Sequence, residues 1–348
     1  MKRIVFPAEW YPQSAVQLTW PHRDTDWKPM LEEVIPCFVA IAGEIMKREK
    51  LLIVCPDEAE VQRQLGEMAD NRRLIFREMA TNDTWARDHG GISIFEDGVP
   101  VVYDFVFNGW GMKFAACHDN LITRRLFRSG TFAKETRSVN MQPFVLEGGS
   151  IESDGCGTLL TTVECLASVN RNEYLNREQL EYHLKDFFGA ERVLWIENGY
   201  LAGDDTDSHV DTLARFCDER TIAYVQCLDA EDEHFSELKA MEEELKAFRT
   251  LAGQPYRLIP LPMADRVTWN GERLPATYAN FLIINGAVLM PCYRSEKDTL
   301  VRAALQTAFP DREVVGIDCL PLIRQHGSLH CAAMQYPEGV MSDSTVHV

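Results

Sequence analysis

The stretch GISIFEDGVPVVYDFVF, residues 91–107, places two apolar runs on either side of Asp97-Gly98. An Asp-Gly pair suits the positive φ values of a tight two-residue turn, so the stretch reads as an antiparallel hairpin. Two more pairs carry the same signal. Asp154-Gly155 lies between GGSIES and TLLTT, and Asn285-Gly286 lies between NFLII and AVLMP. Outward from these hairpins, apolar residues recur at helical spacing: Leu31, Val34, Ile35, Phe38, Val39, Ile41, Ile45 and Met46 in one segment, Leu121, Leu126 and Phe127 in a shorter one. NREQLEYHLKDFF from Asn176, EDEHFSELKAMEEELKAF from Glu231 and SEKDTLVRAALQTAF from Ser295 add three more helices. Most are followed by a short strand-like run: LLIVC from Leu51, RVLWI from Arg192, YRLIPL from Tyr256 and EVVGI from Glu313.

The repeated order is helix, strand, loop, strand, turn, strand, and the helices mark out five units of about 50 to 85 residues with no linker between them. A unit with one helix and about three strands cannot cover both faces of its own sheet, so neighbours must pack together. Five such units around an axis predict an α/β fold, a five-bladed pseudo-symmetric propeller in which residues 1–348 form a single catalytic domain. The N-terminal strand AVQLTW is expected to complete the last unit. The competing pattern is a two-lobed α/β sandwich.

The balance of 35 basic against 53 acidic residues gives a formal net charge of −18. Such a surface repels nucleic acid and anionic membranes and attracts cations. No apolar stretch is long enough for a signal peptide or a membrane span, which predicts a cytoplasmic protein. The ten cysteines contain no C-x-x-C pair, which argues against structural zinc and a redox motif and leaves most as small core hydrophobes.

Polar residues recur at loop or strand-start positions of the repeat: Asp88 in NDTWARDHGG, Glu147 in VLEGGS, His209 and Asp211 in GDDTDSHVDTLARF, and Cys331 in GSLHC. LPATYANF offers Asn280 at the equivalent place in the fourth unit. If His209 and Asp211 sit on a strand, they project to one face. Each residue alone has a plainer reading: an ion pair or cap for Asp88, a bend for Glu147-Gly148-Gly149, and a buried inert thiol for Cys331. An H-x-D pair can also bind metal, but H-E-x-x-H and a second H-x-D are missing, so no metal and no cofactor are expected. Together, one cysteine, one histidine and three carboxylates describe a site that attacks an electrophilic carbon bearing positive charge. Two aspartates can clamp a guanidinium fork, and a thiolate can add to its carbon and later leave. The histidine can donate the proton that makes ammonia leave and then take one from water, with the glutamate orienting it.

FPAEWYPQSAVQLTWPH, DTWARDHGGISI, FNGWG, LEGGSIESDGCGTLLTT, DSHVDTLARF, LPATYANFLIINGAVLMP and the late LHC resemble the agmatine deiminases and the related bacterial-type peptidylarginine deiminases, in order and over nearly the whole chain. The resemblance implies the pentein fold and hydrolysis of a guanidinium to a ureido group and ammonia, without cofactor or metal. It assigns Cys331 as nucleophile, His209 as general acid and base, Glu147 as its orienting partner, and Asp88 and Asp211 as the guanidinium-binding pair. Trp85 matches an aromatic residue of the substrate channel. The family often carries GGGNIHC before the nucleophile where this chain has RQHGSLHC, so His326 and Ser328 alter the closing loop. The acidic run Asp204, Asp205 and Asp207 is a second departure, and Asp205 or Asp207 could receive a terminal ammonium. That favours agmatine as the small-molecule partner and a route to putrescine through N-carbamoylputrescine, over peptidylarginine, free arginine, amidino transfer to an amine, or a silent amine-binding protein. Related enzymes are often dimeric or larger, which leaves room for a homo-oligomer. His330 adjoins Cys331, but strand neighbours face opposite sides. It is therefore expected to pack or hold the closing loop, leaving His209 as the thiol's partner.

Overall fold

Residues 2–342 are described by a computed structural model. Among the described residues there are five mixed sheets of three or four strands and a two-stranded ribbon. The first four follow one scheme, an antiparallel hairpin, a helix, then a strand returning parallel to the hairpin's second strand, and in the fifth the antiparallel pair is made by strands from the two ends of the chain. The opening stretch supplies the first, with Ile92–Glu96 paired to Val99–Val106 and Arg137–Val145 added in parallel after the helix Ile122–Arg128. Asp97 and Gly98 take φ values of 52° and 81°, the left-handed pair that such a turn requires.

In the second sheet Thr158–Thr162 runs between Ile151–Ser153 and the parallel Arg192–Ile196. Its helix, Arg177–Phe188, starts with a reciprocal capping box between Asn176 and Gln179 and stops where Gly189 turns left-handed. The third sheet joins Ala214–Asp218, Thr221–Gln226 and Arg257–Pro262, and the fourth joins Leu282–Ile284, Ala287–Cys292 and Glu313–Asp318. In the fifth, Ala333–Pro337 pairs antiparallel with Gln13–Thr19, which runs parallel to Lys50–Cys55 and thence to Leu74–Glu78. The N-terminal strand thus completes the last unit and closes the five-bladed propeller. Helix Leu31–Met46 buries Val34, Phe38, Ile41 and Ile45, in one cluster with Leu18, Ile53 and Leu289 of two adjacent sheets. Among the described residues no helix is long and apolar enough to cross a membrane.

Two local expectations change. Asp154-Gly155 is part of a four-residue connection between Ser153 and Thr158, in which the Asp154 carboxylate accepts the N–H groups of Cys156 and Thr158. His209 and Asp211 are not on a strand: His209 precedes a short 3₁₀ turn, Val210–Thr212, that contains Asp211.

Candidate active site

The connections entering the sheets converge on one buried cluster. Asp88 lies on the short helix Ala86–His89 and is 3% exposed. Its Oδ2 accepts the Trp110 indole N–H at 2.9 Å, and its Oδ1 accepts the Gly149 N–H at 3.1 Å. The same Oδ1 is 3.6 Å from His209 Nδ1. Gly149 is where these groups meet: a Cβ there would lie 2.6 Å from His209 Nδ1, 2.8 Å from Asp88 Oδ1 and 3.1 Å from Asp211 Oδ2. Only a residue without a side chain lets the imidazole and both carboxylates face one space.

Cys331 lies beside this cluster, buried, with its sulfur 3.8 Å from Asp211 Oδ2 and 3.3 Å from the side-chain N–H₂ of Asn280. Asp211 is fully buried, and its Oδ1 has no hydrogen-bond partner; neither has either ring nitrogen of His209. Buried polar atoms of this kind ordinarily find partners, so their orphaning around one space marks a place for a polar ligand. Burial pushes the Asp88 carboxyl up to about 6, against the pull of His209. Burial opposes charge on His209 too, but Asp88 and then the other acidic neighbours hold it well above its ordinary value. The Cys331 thiol is held well up by burial and by Asp211 and Asp88. The cluster therefore offers two carboxylates and an imidazolium to a thiol whose ionisation a bound cation would favour.

Glu147 is fully buried and within reach of His209, in a group with Cys165 whose polar atoms lie within 4.8 Å of one another. Its hydrogen bonds go elsewhere: the Arg171 Nε–H donates to both carboxylate oxygens at 3.0 Å. Arg171 also donates to Asp207 Oδ2 at 2.6 Å and to the Thr206 carbonyl at 2.8 Å, tying Glu147 to the loop that carries His209. Asp207, the second residue expected to meet an ammonium, is thereby engaged, since Lys113 pairs with it as well.

A channel leads out from Asp88 and Cys331, lined by Trp85, Trp110, Phe114, Asp26, Asp83, Asp205 and His326. No lysine or arginine is among its described lining residues, but Lys113 reaches one of them, donating to the Asp205 carbonyl at 2.6 Å. Trp85 packs on Trp27 with ring centroids 5.7 Å apart, and its ring lies so close to Gly327 that a Cβ there would collide with it. His326, at φ 67°, has its Nδ1 2.7 Å from the Gly203 carbonyl, linking the altered closing loop to the acidic run.

His330 departs from its expected place. The strand begins only at Ala333, so His330 and Cys331 lie in a turn and the alternation of strand faces does not apply. The imidazole sits beneath the cluster, with Nδ1 2.7 Å from Asp211 Oδ2 and Nε2 2.6 Å from Glu9 Oε2. Trp110, Arg171 and Glu9 are contributors that sequence reasoning assigned no role, and Gly149, read there only as part of a bend, is the point of closest approach. Trp110 and Gly149 fall inside the quoted motifs FNGWG and LEGGS, but the partners of Arg171 and Glu9 follow from tertiary packing alone.

The family model for Porphyromonas-type peptidyl-arginine deiminase matches residues 5–337. A Porphyromonas gingivalis protein, provisionally titled an arginine deiminase, has 58% identity and a TM-score of 0.94, over 97% of this chain and 100% of that one. A cysteine-to-serine variant of a C. jejuni agmatine deiminase with substrate bound has 38% identity and a TM-score of 0.90, over 97% of each chain. A Legionella pneumophila (strain Paris) relative, provisionally named agmatine deiminase, is 32% identical over 337 residues, 95% of each chain. The dimethylarginine-hydrolysing DDAH of Pseudomonas aeruginosa, at 10% identity and a TM-score of 0.50, shares the fold alone. The chain belongs to the Porphyromonas-type peptidyl-arginine deiminase family.

Proposed function

We propose that this member of the family hydrolyses the guanidinium group of agmatine to N-carbamoylputrescine and ammonia, a step toward putrescine. The observation that carries the reading is the pair of buried carboxylates, Asp88 and Asp211, beside the Cys331 sulfur, with Asp211 Oδ1 left for a ligand and His209 next to Asp88. A planar guanidinium can donate to both carboxylates at once. Its positive charge then favours loss of the Cys331 proton.

In the reaction so proposed, the Cys331 thiolate forms a bond to the guanidinium carbon. His209 donates a proton to the departing nitrogen, the carbon–nitrogen bond breaks and ammonia leaves. A water, giving one proton to His209, then adds to the amidino carbon; the carbon–sulfur bond breaks, the hydroxyl proton passes to solvent, and the ureido product forms with the thiolate restored. Glu147, close to the imidazole and held by Arg171, is assigned to orienting it and supporting its charge. Trp85 lines the path to Cys331, and Asp205 is the assigned receiver of the substrate's ammonium. The channel wall carries Asp26, Asp83, Asp88 and Asp205, an excess of negative charge even with Lys113 bonded to the Asp205 carbonyl, and this supports a cationic tail over the carboxylate tail of free arginine. We read residues 1–348 as one catalytic domain and place the reaction in the cytoplasm, in keeping with ten cysteines that are all free thiols.

A parallel assay of agmatine, free arginine and a blocked arginine peptide, following ammonia and ureido product, tests this. Agmatine should be the preferred substrate without an added amine acceptor. Turnover of the peptide but not agmatine would move the assignment to peptidylarginine, and dependence on an acceptor amine would move it to amidino transfer. Cys331→Ser should abolish turnover with the fold retained.

A further inference from the structure

We infer that His330 is a positioning residue for the Asp211 carboxylate: its imidazole, buried between Glu9 and Asp211, fixes one Asp211 oxygen and leaves the other open to the guanidinium. This inference rests on the function proposed above. His330 is 1% exposed, and both ring nitrogens face carboxylate oxygens, Asp211 Oδ2 at 2.7 Å and Glu9 Oε2 at 2.6 Å. An ionised carboxylate only accepts, so both nitrogens donate and the ring bridges two anions.

The far end of the bridge is rigidly held. Glu9 Oε2 also accepts from Arg215 Nη2 at 2.7 Å, and Glu9 Oε1 accepts the Ile283 N–H at 2.6 Å. Arg215 is in turn paired with Glu152, and the His330 backbone N–H donates to Asn280 Oδ1 at 2.9 Å. Glu9 and His330 both lead into strands of the fifth sheet and Asp211 leads into the third, so the bridge ties two blades together where they meet.

The near end decides the chemistry. Asp211 Oδ2, which accepts the hydrogen bond from His330, is also the oxygen 3.8 Å from the Cys331 sulfur, whereas Oδ1 is buried with no partner. A carboxylate held on one oxygen cannot rotate, so its second oxygen presents a fixed acceptor to the substrate. Opposing charges support this state: against their burial, Glu9 is held below the usual carboxylate range by Arg215 and His330, and Asp211 is held below it by His330. A core histidine with a purely structural part would contribute to stability and leave the Michaelis constant unchanged.

Steady-state kinetics of His330→Gln on agmatine separate the two. Glutamine fills similar space but cannot donate to two carboxylates on opposite sides. A folded variant should raise KM by roughly tenfold, the loss of one charge-assisted hydrogen bond, with kcat reduced much less. An unchanged KM in a folded variant overturns the inference, as does a loss confined to kcat. If the variant does not fold, ¹⁵N NMR of the unaltered protein decides: a slowly exchanging N–H at His330 Nδ1 upholds the hydrogen bond to Asp211, and an Nδ1 that carries no proton overturns it. If the unaltered enzyme does not turn over agmatine, that result strikes the proposed function and leaves this one testable with guanidinium chloride at low concentration. Guanidinium should then slow alkylation of Cys331 in the unaltered protein but not in His330→Gln, and equal protection of both overturns the inference.

Discussion

The Asn280 side chain touches the Cys331 sulfur: its amide donates across 3.3 Å, while its Oδ1 accepts the backbone N–H groups of His330 at 2.9 Å and Cys331 at 3.3 Å. One amide thus sets the turn that presents the nucleophile and supplies a donor to it. Burial, Asp211 and Asp88 all work against a thiolate, and the Ser328 backbone and Asn280 work for it. Asn280→Ala should lower kcat/KM by roughly 10- to 100-fold, the worth of ~1.5–3 kcal/mol for a hydrogen bond to a charged group. The rate of Cys331 alkylation by iodoacetamide should fall in parallel. An unchanged alkylation rate would show that the contact does not stabilise the anion.

Asp88 gives the pH profile its acid limb. Burial pushes this carboxyl up to about 6, so kcat/KM should fall as the pH drops through about 6, when the protonated group can no longer meet a cation. The sign for stability is opposite. A carboxyl whose folded pKa lies above its unfolded value stabilises the fold below the unfolded value, and that contribution is lost as the pH rises through about 6. A guanidinium ligand offsets the resulting buried charge, so the ligand-induced rise in Tm should be larger at pH values above about 6 than below it. A pH-independent rise would argue that the ligand is not held by this carboxylate.

Gly149 carries a steric prediction. The methyl group of Gly149→Ala would enter the space shared by His209, Asp88 and Asp211, with contacts of 2.6, 2.8 and 3.1 Å. Asp88 is held by Trp110 and Asp211 by His330, and the His209 ring is fully buried, so the three groups cannot all move aside. Activity should fall by roughly 100-fold or more, as expected when reacting groups are displaced by about 1 Å. Near-normal kcat/KM in the alanine variant would mean that the three groups need not converge on one ligand.

Arg171 is the counter-charge of Glu147, both with fully buried side chains. Arg171→Met would leave a buried carboxylate unpaired and free the loop it ties through Thr206 and Asp207. Denaturant unfolding should show a loss of roughly 3–5 kcal/mol, the range for breaking one partner out of a buried pair. A loss well under ~1 kcal/mol would indicate that Glu147 finds another partner or a proton.

What was legible in the chain follows from range. The Asp97-Gly98 turn and the helices from Leu31 and Asn176 are set by residues close in sequence, and they hold in the structure. The hairpin of Ala214–Asp218 and Thr221–Gln226 turns at Glu219-Arg220 and carries no Gly signal. The strand Arg137–Val145 keeps only its last residues buried, so apolar patterning does not announce it. At the site, Asp88, Glu147, His209, Asp211 and Cys331 could be picked out by residue type and repeat position, although the strand geometry first assigned to the last three does not hold. The contacts of Glu147 with Arg171 and of His330 with Glu9 span 24 and 321 residues of sequence, and the longer one needs the ring to close before it exists.

Asp205 tests the assignment of the substrate's tail. Its carboxyl lines the channel beside Asp26, Asp83 and His326, and burial pushes it up to about 6 with His326 pulling the other way. Near pH 8 it is charged and can meet an ammonium; near pH 5 it is protonated and cannot. Asp205→Asn should therefore raise the KM for agmatine by several-fold at pH 8, about 1 kcal/mol for a partly exposed ion pair, with kcat little changed because the contact is remote from the reacting carbon. The effect should shrink toward pH 5, where the native residue has lost its charge. Alkylguanidines without a terminal amine separate charge from packing. If Asp205 receives the ammonium, their KM should not respond to the substitution, and an equal rise for both classes would place the residue in the shape of the channel.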